Sequence, residues 1–327
     1  MKSWKLASGL GVALIAAALA APMATAKELT LGGVHSPTSM ETQALNKFAE
    51  LVSEKSGGQL KIKVFPAGQL GDAVGMIENV ILGAQDMFAN VADWNQHLAQ
   101  DFAVLAMPFA IRDLDHLKRF LASDIYAGLK KKLVEDKQIR VLADNWYRLP
   151  RVLVTTKSVA SVDDLQGRKL RMPNLDTYIQ AWKALGAKPT VIPWAESYLA
   201  MKTGIVEGMD SPLGSIYPQK FYEAAKHITI TNHAIAPFNL LISDRVFGKL
   251  PKAQQAILVE AGEEAGDFYT KTLESTFSEH RQKMEKAGAT FETIDLKPFA
   301  ERARAAAVEF EEKGLWSKGL FDAIQKM

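Results

Sequence analysis

The stretch KELTLGGVHSPTSMETQALNKFAELVSEKSGGQLKIKVF, Lys27–Phe65, decides the fold class. Glu28–Val34 is a short alternating run that reads as a strand and leads into His35-Ser36-Pro37-Thr38. Ser39–Ser56 then places Met40, Ala44, Leu45, Phe48, Leu51 and Val52 at helical intervals, and Gly57-Gly58 stops it. Leu60–Phe65 alternates cleanly as a second strand. Strand, helix, strand in that order indicates an α/β architecture with mainly parallel sheets.

The same alternation runs outward along the chain. A helix over Ala73–Leu82, a strand over Asp86–Val91, a helix over Leu114–Val134 and a strand over Ile139–Trp146 complete a first set. A second set begins at Arg151. Strands are expected over Arg151–Thr155, Lys169–Met172, Thr190–Ile192 and Gly208–Ser211, with helices over Asp176–Leu185 and Ala195–Thr203. Ile228–Asn232 and Asn239–Ser243 are β-branched or apolar runs suited to carry the chain back into the first set. Lys252–Lys286 is one helical stretch without proline, about 50 Å long at 1.5 Å per residue, or else two helices broken near Gly262 or Gly266. Unbroken, it is long enough to brace two lobes. Helices over Leu296–Lys313 and Ser317–Met327 finish the chain.

Composition excludes several classes. The 327 residues include no cysteine, so there is no disulfide framework, no thiolate metal site and no cysteine nucleophile. The six histidines form neither HExxH nor an i, i+4 pair, and no metal site is expected. Basic and acidic residues are mixed throughout, with a formal charge of +2, which argues against a nucleic-acid partner. Residues 1–26 combine Lys2 and Lys5, an apolar run Leu6–Ala21 and the triplet Ala24-Thr25-Ala26. That order predicts a secretory signal peptide cleaved after Ala26. Its removal leaves equal numbers of basic and acidic side chains.

No GxGxxG, P-loop, GxSxG or metal triad is present. Arginines stand out instead. Arg148 and Arg151 lie in NWYRLPR beside Trp146 and Tyr147, and Arg171 lies in GRKLRMP. A guanidinium at the end of a buried strand is costly unless it meets an anion, and its planar fork matches a carboxylate. That anion is either a ligand or an Asp or Glu of the chain itself. Trp94 and Trp194 follow strands in strand-to-helix loops, where α/β proteins place ligand contacts. Both also suit a core or lobe interface.

The runs VASVDDLQGRKLRMPN (Val159–Asn174) and VIPWAESYLAMKTGIVEGMDSP (Val191–Pro212) resemble motifs of the solute-binding proteins of TRAP transporters, of the dicarboxylate- and sialic-acid-binding type. FPAGQLGD (Phe65–Asp72) and FYEAAKHITITNH (Phe221–His233) extend the resemblance over nearly the whole chain past residue 26. It implies two α/β lobes around a ligand cleft, held by a long bracing helix. Lobe I is expected over 27–150 and lobe II over 151–238. Residues 239–327 would return to lobe I and supply the bracing and terminal helices. The family's central ligand-pairing arginine matches Arg171, a second ligand-facing arginine matches Arg151, and the aromatic wall residue matches Trp194. Relatives commonly carry Glu-Asn-Pro where this chain has Asp210-Ser211-Pro212, so Ser211 replaces a ligand-binding asparagine. Asn90 and His35 fall near family contact positions, and Arg148, Trp146 and Asp210 complete the candidate set.

The resemblance implies a monomeric periplasmic receptor that delivers a small organic anion to membrane transporter subunits and needs no cofactor. The rival reading is an exported α/β enzyme acting on a small organic acid. Asp210, Glu196 and His35 would be its only acid–base or nucleophile candidates.

Overall fold

The computed structural model describes residues 26–327; the expected signal peptide lies, but for Ala26, outside them. In chain order the strands are β1 (Lys27–Gly33), β2 (Leu60–Phe65), β3 (Met87–Val91), β4 (Ile139–Trp146) and β5 (Arg151–Thr155). There follow β6 (Lys169–Met172), β7 (Lys188–Val191), β8 (Gly208–Pro212), β9 (His227–Ala234), β10 (Phe238–Ser243) and β11 (Thr290–Thr293). The first helices are α1 (Met40–Lys55), α2 (Ala73–Leu82), α3 (Leu114–Leu121), α4 (Asp124–Lys137), α5 (Asp176–Ala184) and α6 (Ser197–Lys202). The remainder are α7 (Phe221–Ala224), α8 (Asp244–Gly248), α9 (Lys252–Lys286), α10 (Lys297–Glu312) and α11 (Leu320–Gln325).

Two sheets result, one of five strands in the order β2-β1-β3-β10-β4 and one of six in the order β11-β9-β5-β8-β6-β7. The α/β architecture read from the sequence is therefore present. The sheets are mixed, not mainly parallel. β10 runs antiparallel to both β3 and β4, and β5 antiparallel to both β8 and β9. These are the strands at which the chain passes between sheets, from β4 to β5 and from β9 back to β10. A period-2 apolar pattern reports which face is buried and carries no information on strand direction.

Local chemistry explains the element ends. Ser39 caps α1 by accepting from Thr42 N at 3.2 Å, and Asp72 caps α2 from Gly75 N at 2.8 Å. The single helix expected over Leu114–Val134 is two, because Ser123 accepts from Tyr126 N at 3.3 Å and starts α4 afresh. The Ser-Asp pair at 123–124 was the available signal.

α9 is one unbroken helix. Its glycines are not breaks but close approaches. A Cβ at Gly266 would come within 2.5 Å of Trp146 Cδ1 and 2.7 Å of Asn145 Cγ, and Trp146 Nε1 donates to Gly262 O at 2.9 Å. The first half of α9 (Leu258, Ala261, Ala265, Tyr269) packs into the core under the five-stranded sheet with Leu31, Phe48 and Phe238. Its far end serves the other sheet. Met284 joins Val152, Met209 and Phe221, and His280 stacks on Tyr217 with ring centroids 4.4 Å apart. The chain after residue 238 consequently does not all return to the first sheet: β11 pairs with β9 at the edge of the second, and α10 packs against α5.

Candidate functional site

Between the two sheets lies a cavity of about 480 Å³, within the range of small-molecule sites. Its walls come from the ends of β1, β3, β6 and β7 and from the link between β4 and β5. Of the sequence candidates, His35, Asn90, Arg148, Arg151, Arg171 and Trp194 line it, and so do Trp94 and Glu196. Trp146, Asp210 and Ser211 do not. Trp146 is fully buried and stacks on Tyr269, with centroids 5.9 Å apart, as a core residue. Ser211 is fully buried and its hydroxyl donates to Pro212 O at 3.1 Å. Neighbours on a strand point to opposite faces, so Asp210 and Ser211 could not both face the cavity side; Asp210 lies on the face of Arg151 but is spent beneath it.

Arg171, only 2% exposed, sits near the end of β6 with its Nε donating to Ile192 O at 2.8 Å. Among the described residues no carboxylate comes within ion-pair distance of it. Its guanidinium lies 5.5 Å from the Trp194 ring centre, a cation–π contact that shapes the cavity wall. Burial pulls its pKa down to about 10, with the Asp210 charge opposing the fall and Arg151 adding to it. It is a buried cation with much of its hydrogen-bonding capacity unspent.

Arg151 is differently placed. Its Nε donates to Asp210 Oδ2 and its Nη2 to Asp210 O at 3.2 Å. Tyr178 donates to the same carboxylate at 2.6 Å, and His233 Nε2 lies 3.3 Å from it. Burial alone would raise the Asp210 pKa, but the Arg151 guanidinium outweighs it and holds the group well below the ordinary carboxylate range. Arg148 forms the other buried pair. Its Nη2 donates to Glu41 Oε1 at 3.0 Å and approaches Ser215 Oγ at 3.3 Å, and Ser215 in turn donates to Glu41 at 3.2 Å. Burial lowers the His35 pKa to about 4, so His35 is neutral at pH 7 and its 3.8 Å approach to Glu41 is not an ion pair there.

Two contacts cross the cleft. His35 lies 5.5 Å from Trp194, ring to ring, and His97 Nε2 donates to Asn174 O at 3.0 Å. Sequence reasoning missed Tyr178 and Asp93 as wall residues. Tyr178 sits on the helix after Arg171 and Asp93 in a 3-10 turn (Ala92–His97), neither of which stands out in an apolar pattern.

Two α/β lobes that flank an arginine-lined cavity are the architecture of a solute-binding protein. The chain belongs to the bacterial extracellular solute-binding protein family 7, the DctP family, whose profile matches residues 31–313. It is 30% identical over 308 residues to the sialic acid-binding periplasmic protein SiaP of Vibrio cholerae, covering 94% of this chain and 95% of that one. It is 32% identical over 290 residues to the 2,3-diketo-L-gulonate-binding periplasmic protein YiaO of Escherichia coli, covering 87% of each. A TRAP periplasmic solute-binding protein of Sulfitobacter, solved with bound β-D-galacturonate, superposes with a TM-score of 0.87 at 25% identity, over 92% of this chain and 100% of that one. The protein is a solute-binding protein of the TRAP type and not an enzyme. Asp210, one of the three candidates of the rival reading, is held in a buried ion pair.

Proposed function

We propose that this chain is the periplasmic receptor of a TRAP transporter, exported with its leader removed after Ala26, and that it captures a small organic acid. Sugar acids lead the candidates, because the two relatives named above are named for binding sialic acid and 2,3-diketo-L-gulonate, and the solved neighbour holds β-D-galacturonate. Arg171 would take the carboxylate in a bidentate pair, with Trp194 covering the body of the ligand. Arg151, fixed by Asp210, would add positive potential and hold the link between the lobes. The working division is lobe I over 27–150 and lobe II over 151–238. Residues 239–327 then supply all of β10 but Phe238 to lobe I and β11 to lobe II, with α9 bracing both. The loaded monomer would deliver its ligand to the membrane subunits, with no cofactor and no nucleic acid involved.

The observation that carries this reading is the buried guanidinium of Arg171 on the cavity wall, which meets no carboxylate among the described residues. A charge so placed is costly unless an anion meets it. A thermal-shift screen of uronates, aldonates, keto acids, hydroxy acids and dicarboxylates, followed by calorimetry, tests it. A stabilising, 1:1, saturable anion is expected. Binding only of neutral solutes would overturn the reading.

A further inference from the structure

The cavity wall carries more polar capacity than the protein satisfies. Buried polar atoms are almost always hydrogen-bonded, yet His35 Nδ1, Asn90 Nδ2, Asp93 Oδ1, Arg148 Nε and Trp194 Nε1 are buried without a partner among the described residues. All five residues line the cavity. Most of these atoms are donors or neutral ring nitrogens. Asp93 is the exception, a carboxylate 5% exposed. The other wall carboxylates, Asp72 and Glu196, are exposed, and Asp72 already caps α2.

Asp93 enters the wall from the turn directly after β3, in lobe I, whereas Arg171 enters from β6 in lobe II. No basic side chain among the described residues forms an ion pair with it. A ligand that seats one carboxylate on Arg171 and fills the chamber presents its remaining groups to a wall that includes a buried carboxylate. That carboxylate accepts a hydroxyl hydrogen readily. It meets a second ligand carboxylate with like-charge repulsion in a site of low dielectric.

We propose that Asp93 sets the ligand class, admitting polyhydroxylated acids with one carboxylate and rejecting those with two. This rests on the reading of Arg171 as the carboxylate clamp and deepens it, naming the chemistry of the far end. Asp93 is ionised at the pH of the test: burial raises its carboxyl to about 6, against the pull of Arg151 and Arg148.

The test is calorimetry at pH 7.5 on the purified protein. One series holds monocarboxylate sugar acids (D-galacturonate, D-glucuronate, L-galactonate, D-gluconate) and the other holds galactarate, glucarate and succinate. The wild type should bind at least one monocarboxylate about tenfold or more tighter than its matched dicarboxylate. Asp93→Asn keeps an acceptor of the same shape and removes the charge, so it should narrow that ratio at least tenfold. Asp93→Ala should weaken the monocarboxylate by about tenfold or more, since a wall built to bond a hydroxyl loses its partner. A wild type that binds galactarate or succinate as tightly as the monocarboxylates overturns the proposal, and so does an unchanged ratio in Asp93→Asn. If Arg171→Ala abolishes binding in either case, the clamp reading survives alone. If the wild type binds no anion in either series, both fall.

Discussion

At the scale of single residues, Arg171 carries the sharpest expectation. Lysine in its place keeps the charge but loses the planar fork and the Nε bond to Ile192 O. A hydrogen bond to a charged group is worth roughly 1.5–3 kcal/mol, and each 1.4 kcal/mol is about tenfold in affinity. Arg171→Lys should therefore weaken binding on the order of a hundredfold by calorimetry, with an apo melting temperature close to that of the wild type. Binding at wild-type affinity would reduce Arg171 to a general positive charge. Trp194→Ala should weaken binding by about tenfold and remove the fluorescence change on ligand addition, because the ring rests on Arg171 and His35. Asp210 belongs to stability. Its folded-state pKa lies below the unfolded value of about 3.9, so its contribution is present above that pH and is lost as pH falls. Asp210→Asn should cost about 3–5 kcal/mol at pH 7 by chemical denaturation, since it strands Arg151, and should flatten the loss of stability between pH 5 and 3. The arginines were legible in the sequence because a charge at a strand end is conspicuous. Asp93 and Tyr178 were not, since a turn and a helix face hide which residue points inward, and Ser211 lies buried within β8 with its hydroxyl on Pro212 O, away from the cavity.

At the scale of elements, the helices and most strands could be read because their apolar periods and caps are local. Strand direction could not, since it depends on partners far off in sequence: β10 is flanked by β3 and β4, and nothing in Phe238–Ser243 says so. The integrity of α9 was undecided for a related reason. Glycine lowers helix propensity wherever it occurs, and only the neighbouring strand reveals that Gly266 makes room for Trp146 and Asn145. Gly266→Ala should therefore destabilise the protein despite alanine's better helix propensity. Overpacking of this kind costs about 1–3 kcal/mol, measurable as a lower denaturation midpoint with an unchanged slope. A stabilised variant would mean that α9 shifts freely over β4.

At the scale of the whole molecule, the two sheets meet at the cavity and along α9. Ligand that touches both lobes only when they are closed shifts the population toward closed. Small-angle scattering should show a smaller radius of gyration on saturation with ligand, and an unchanged radius would mean that the free protein is already closed. The long helix adds something to this picture. Its first half is locked to one sheet, while Met284 and His280 grip the other. Prising the lobes apart must then flex a rod of about 50 Å or slide its far end over Tyr217. If release requires the lobes to part, residence time is in part a matter of stiffness, and the solvent-facing side of α9, which supplies no residue to the cavity wall, is where evolution or an engineer could retune how long the cargo stays without altering what the cargo is.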